Sequence, residues 1–393
     1  MKRTVFGVAA IAAGVLFLAS CGGSSSGTST SAPTTSQLTN RAFVSNEFTG
    51  SVQIVNATSD VLNTHSFVSG SSPQTMVVSG NKGFTMVFNA GGNVLLRVDN
   101  ATEAGIATAT LPGYTDSLAV TSDGTKAYAA IRNAPLTTGT PLGVVSFVDY
   151  TATTNTSVDV PLARRLVLGP SGAKLLVFSD NSNSVTVIDT ATKAVTVVGG
   201  FDRPAWGVFS SDSSKAYIMN CGPECGGTTA SVTELDNLGG VPALGTNTPV
   251  SAATIGLLDG SNLYVAGTVT AGTGGGRLDV LNTAGLAVTK SGVVINDGYH
   301  TTMAISNGRV FVGARACSNV AEGCLSIYNG GAGTAVIGTP KGEVTGMQAI
   351  SGRTIVYVAE GGELRIYDSS TSTEKLPAPV DIVGKAWDVK TVD

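Results

Sequence analysis

Few side chains in this chain are suited to catalysis or to gripping a charged ligand. It holds two histidines, His65 and His300. A histidine-based triad would have to use His300 with a serine and an aspartate that no motif identifies. The patterns H-E-x-x-H, Walker loop, EF-hand loop and dinucleotide fingerprint are all missing, so no cofactor and no metal is expected. Gly23-Ser24-Ser25-Ser26-Gly27 spells G-x-S-x-G. A nucleophile elbow needs a strand before that motif and a helix after it, and neither is indicated here. Arg164-Arg165 is a cation pair suited to clamping an anion or to bridging to a neighbouring element. The only two tryptophans, Trp206 and Trp387, are suited either to packing or to stacking on a ligand.

The elements that must position these residues are short strands. Lys174 to Val198, KLLVFSDNSNSVTVIDTATKAVTVV, reads as three of them, Leu175–Phe178, Ser184–Asp189 and Ala194–Val198, separated by polar turns. Variants of this hairpin occur eight times, beginning with Phe43–Asn46 leading into Ser51–Val55 and ending with Ile355–Val358 leading into Leu364–Asp368. A further apolar strand precedes every hairpin but the first. It commonly ends in a turn pair such as Asp123-Gly124, Ser171-Gly172, Asn307-Gly308 or Ser351-Gly352. These strands centre on positions such as Met76–Val78, Leu118–Val120, Leu166–Leu168 and Ala253–Ile255, and a last one, Trp387–Val389, has no hairpin after it. Joined to the first hairpin, that strand completes one unit. Four strands per unit, a period of about 40 to 50 residues and complementary chain ends predict an all-β propeller closed by mixing N- and C-terminal strands. The count gives eight blades, with seven as the alternative if one irregular unit is an excursion.

VFSDNSNSVTVIDTATKAVTVV and FVSNEFTGSVQIVNATSDVL, with the steps SDGTKAYAA and SDSSKAYIM, resemble the YVTN-type repeats of bacterial surface propellers. The similarity covers most of residues 41–393 and implies the fold more than any function. Residues 239–260 depart from the pattern.

In a propeller the second-to-third loops and the starts of the innermost strands open on one face. The long insertions Asn133–Gly143, Cys221–Ala230, Gly267–Gly276 and Gly313–Cys324 are second-to-third loops. The strand starts place Gln74, Asp116, Arg164, Arg165, Trp206, Tyr299, His300 and Trp387 at the channel mouth, as candidate ligand-binding residues. Propeller lactonases and quinoprotein dehydrogenases share the architecture. The carboxylate or histidine clusters of the former and the adjacent cysteine pair of the latter cannot be assembled from these residues.

The chain opens with Lys2 and Arg3, then an apolar run from Val5 to Leu18 that is too short to span a membrane. Leu18-Ala19-Ser20-Cys21 resembles the bacterial lipobox, which implies cleavage after Ser20 and a lipidated Cys21. Residues 1–20 are then a signal peptide. Residues 21–40 form a lipidated tether whose Gly/Ser/Thr-rich part has no large apolar residue to bury, and residues 41–393 are the propeller. The implied location is the cell envelope: the outer membrane in a Gram-negative cell, which Gly22 suits, or otherwise the outer face of the cytoplasmic membrane. An exported chain meets an oxidising compartment, so the pairs Cys221–Cys225 and Cys317–Cys324 are expected as local disulfides. The zinc alternative needs two distant loops to meet.

Only 13% of residues are charged, against about 25% in ordinary domains, and 50 are glycine. This composition suits strands and tight turns. There is no basic run, which excludes nucleic acid as the expected partner. The expectation is a membrane-anchored propeller that binds a protein or glycan partner through its loop-rich face. The alternative is an enzyme of the lactonase or oxidoreductase kind, with His300, Asp116 and Arg165 near its centre.

Overall fold

A computed structural model describes residues 35–134, 143–271, 275–318, 323–337, 341–375 and 378–393. The expected signal segment, Cys21 and residues 22–34 of the expected tether therefore lie outside the described residues, as do 135–142, 272–274 and 319–322 in three of the four long insertions; Cys221–Ala230 is described throughout. The described chain forms eight antiparallel sheets of four strands each.

Blade 1 takes Arg41–Asn46, Ser51–Asn56 and Val61–Val68 from the N-terminal side, and its innermost strand is the C-terminal Ala386–Thr391. The innermost strands of blades 2 to 8 are Pro73–Val78, Leu118–Val120, Ala163–Leu168, Pro204–Phe209, Ile255–Asp259, Tyr299–Ser306 and Val344–Ala349. The count of eight and the mixed closing blade are as the repeats predict. Blade 6 starts two residues later than expected. Ala252 to Thr254 form its approach, and the Thr254 hydroxyl there is bonded to Glu224 of blade 5.

Burial explains the strand sequences. Second and third strands are covered on both faces by neighbouring blades, so they are nearly continuous apolar runs such as KLLVFS and SVTVID. Outer strands face solvent and are rich in threonine and serine, as in Thr154–Asp159. The core is a series of clusters between blades. Tyr128 and Phe147 of blade 3 meet edge to face at 5.1 Å and pack on Leu175 and Val177 of blade 4. First-to-second strand turns need left-handed backbone. Asn307 and Gly308 both have positive φ, +50° and +69°, as a two-residue hairpin turn requires.

One irregularity recurs at the mouth end of the innermost strands. In blades 1, 2, 4, 5, 7 and 8 the pairing with the second strand shifts there. Five of these shifts leave a single extra residue, namely Trp387, Arg164, Ala205, Thr301 and Thr345. In blade 2 the pair Gln74-Thr75 opposes one residue. Such β-bulges re-aim side chains without breaking the sheet.

Both ends of the described chain lie at the face opposite the mouth. Ser36 donates its N–H and hydroxyl to Glu103, and Arg41 bonds Glu103 at 2.9 Å and Asp393 at 2.5 Å. Blade 8 is clasped to blade 1 through Asp60, which accepts from Arg353, Lys375 and Tyr357, each at 2.6 Å. Burial alone would raise the Asp60 carboxyl. The Arg353, Lys375 and Tyr357 hydrogen bonds outweigh it and hold the group below its ordinary value.

Candidate functional site

The bulges and strand starts gather side chains at the channel mouth. Arg165 sits at the start of the innermost strand of blade 4 and is only 6% exposed. It reaches across the channel to blade 7, where its Nε donates to the Tyr299 hydroxyl at 3.2 Å. Its guanidinium lies 5.2 Å from the Tyr299 ring and 5.5 Å from the Trp206 ring. Arg164, the bulged neighbour, lies 5.1 Å from the Tyr299 ring and 3.5 Å from Asp180. Arg132 pairs with the same Asp180 at 2.5 Å. Together with Arg203 and the Cys225 loop, these residues line a rim hollow of about 220 Å³.

Below the rim lies a chamber of about 130 Å³. Its walls include the bulge threonines Thr75, Thr301 and Thr345, with Asp116, Arg165 and Arg315. Asp388 and Lys390 also face it, and they pair with each other at 2.6 Å. Deeper still the channel turns apolar. An open hollow of about 870 Å³ at the opposite face is walled by Val78, Val120, Leu166 and Leu168, with Trp206.

The eight residues expected at the mouth divide as follows. Asp116 and Arg165 meet at the chamber, Arg164 and Tyr299 form the rim, and Trp387 stacks on Arg315 at 5.0 Å and Lys385 at 5.1 Å. Gln74 is buried, bonding Glu47 at 2.7 Å and Tyr114 at 3.0 Å, while its neighbour Thr75 lines the chamber. Trp206 packs against the apolar clusters on both sides of blade 6. His300 departs from the expectation: it is buried in blade 7, and its Nε2 bonds the Asn296 carbonyl at 3.0 Å. Burial pushes its imidazole down to about 4, so it is neutral at physiological pH. The bulge between His300 and Thr302 is the physical reason, because it turns Thr301 toward the channel in its place.

Sequence reasoning missed Arg132, Arg203, Arg315, Asp388 and Lys390. Arg132 and Arg315 carry a readable signal, since each is a charge immediately ending an apolar second strand, KAYAAI-R and RVFVGA-R.

Both expected disulfides are present, Cys221–Cys225 and Cys317–Cys324, in second-to-third loops on the mouth face. Each loop is also tied to the adjoining connections. Glu224 accepts from the Thr254 hydroxyl and from the Thr268 N–H at 2.8 Å, both in blade 6. Burial raises the Glu224 carboxyl. Ser318 donates its N–H to Asp297 at 2.9 Å, and the Ala316 N–H donates to Glu343 at 2.9 Å.

No protein-family model matches the chain, and no curated protein matches it. The likeness is to solved propellers. The dihydro-heme d1 dehydrogenase NirN, solved with DHE, superposes with a TM-score of 0.65 at 14% identity, covering 90% of this chain and 75% of that one. The periplasmic gluconolactonase PpgL of Pseudomonas aeruginosa gives 0.56 at 14% identity, covering 90% and 99%. A functionally unknown protein of Desulfotomaculum acetoxidans gives 0.56 at 12%, covering 90% and 98%. Identities this low establish the shared ring and nothing about ligands.

Proposed function

We propose that this protein is an envelope-anchored propeller that binds an anionic partner, protein or glycan, at its mouth face. The anchor rests on the lipobox resemblance at Leu18–Cys21. The binding reading rests mainly on Arg132, Arg164 and Arg203 gathering around one hollow with the Tyr299 ring, beside a disulfide-stapled loop. Guanidinium groups are weakly hydrated and fork-shaped, so they suit carboxylate and sulfate groups. A stapled rim limits the ordering cost of binding. Asp180 neutralises part of the charge and sets how Arg132 and Arg164 are held.

The test uses the mature chain on a surface, with heparin and polyglutamate as probes and dextran as the neutral control. Binding of a polyanion that falls with salt, and falls at least about tenfold when Arg132, Arg164 and Arg203 are all replaced by Met, supports the reading. Dextran binding equally well, or the triple variant binding unchanged, refutes it. Mass spectrometry of the mature N-terminus tests the anchor, and an unmodified Cys21 removes it. An enzymatic reading draws on Asp116 and Arg165 meeting at one chamber and on the dehydrogenase and lactonase among the structural neighbours. Lactone hydrolysis lost with Asp116→Asn would favour it.

A further inference from the structure

The chamber beneath the rim contains an imbalance of donors. Arg165 is more than nine-tenths buried, and its Nη2 has no hydrogen-bond partner within the protein. Arg315 Nε and Thr301 Oγ1 on the same chamber are likewise unpartnered. Guanidinium nitrogens can only donate. Neither arginine forms an ion pair among the described residues. Taking a guanidinium out of water without an anion is strongly unfavourable, and a neutral phenol and three aromatic rings do not replace one. The other charges on the walls do not help. Asp388 is satisfied by Lys390 and by the N–H groups of Met76 and Val389. Only Asp116 faces the chamber with no hydrogen bond to its carboxylate among the described residues.

The geometry points to a site for a small carboxylate with a hydrogen-bond donor on the adjacent carbon, a hydroxy or amino acid of two or three carbons. Its carboxylate sits on Arg165 and Arg315, where both of its oxygens find forked donors. Its hydroxyl or ammonium group faces Asp116. Thr75, Thr301 and Thr345, delivered by the bulges, supply hydroxyls around it. At roughly 30 Å³ per water the chamber has room for about four waters, which matches five or six non-hydrogen atoms. This inference stands on the chamber alone and does not require the rim to bind a macromolecule.

Calorimetry on the mature chain with acetate, glycolate and glycine tests it. The expected result is that glycolate, glycine or both bind at least about tenfold tighter than acetate. Asp116→Asn should erase that preference, and Arg315→Met should weaken every carboxylate at least about tenfold. Arg315→Met is chosen because Arg165 also joins blades 4 and 7 and its loss could disturb folding. Which of glycolate and glycine binds tells the hydroxy acid from the amino acid. The inference is overturned if none of the three binds at concentrations on the order of 10 mM. Equal binding of all three, binding that survives Arg315→Met, or equal binding of chloride also overturns it. Replacing Arg132 and Arg203, neither of which lines the chamber, should leave glycolate or glycine binding unchanged, so failure at the rim and failure in the chamber are separable.

Discussion

Glu360 ends the second strand of blade 8 and is completely buried. The Tyr367 hydroxyl donates to its Oε2 at 2.6 Å, while its Oε1 has no partner in the protein. Arg365 stands 4.0 Å away, but Arg365 and Lys341 are both paired to Glu374. Burial pushes the carboxyl up from 4.5 to about 7, against the opposing pull of Tyr367, Arg365 and Lys341. The folded chain therefore keeps a proton that the unfolded chain releases. This contribution to stability is full below about pH 4.5 and is lost as pH rises through about 7. At about 1.4 kcal/mol per pH unit, the gap corresponds to about 3 kcal/mol at most. Glu360→Gln keeps the shape and removes the charge. The variant should match the parent near pH 4.5 and exceed it by up to about 3 kcal/mol at about pH 8 in urea denaturation. Tyr367→Phe, which removes the one short donor to the carboxylate, should steepen the parent's loss. Parallel pH profiles for the parent and Glu360→Gln would refute the reasoning.

Two further outcomes follow from the clasps around the ring. Replacing Cys221 and Cys225 by Ser should cost about 2 kcal/mol from loop entropy alone. Thermal melts of the parent should show the same loss in reductant, because reduction removes the same cross-link. Asp60→Asn leaves Arg353 and Lys375 facing a neutral group between blades 1 and 8, and should destabilise the ring by about 3 kcal/mol in denaturant titrations. A change below about 0.5 kcal/mol would mean that these cations relax into solvent.

Much of the ring was legible in the sequence because each blade carries its own punctuation. Asn307-Gly308 and Asp123-Gly124 mark where an apolar run reverses, and the first hairpin's missing inner strand announces that another part of the chain supplies it. The candidate site was legible only by region. A strand's period of two has no signature for a bulge, and one extra residue exchanges the side chain that faces the channel for the one that faces the blade. Hence His300 and Gln74 are buried while Thr301 and Thr75 line the chamber. Arg315 escaped for another reason, although the charge that ends its apolar strand was readable. It belongs to a second strand, which a count of inner-strand starts never reaches, and only the folded ring places it beside Asp116.

Where the upstream chain leaves the ring has a mechanical consequence. It joins at Ser36, on the face away from the rim arginines, and runs into Arg41–Asn46. That strand is hydrogen-bonded on both sides, to Ala386–Thr391 and to Ser51–Asn56. A pull on the leading segment, directed away from that face, acts along the strand. It loads two rows of hydrogen bonds in shear instead of opening them one at a time. The carboxy-terminal strand thus bears tension arriving from the amino-terminal end. A ring pulled from that end would stay closed at forces that would unzip an edge strand.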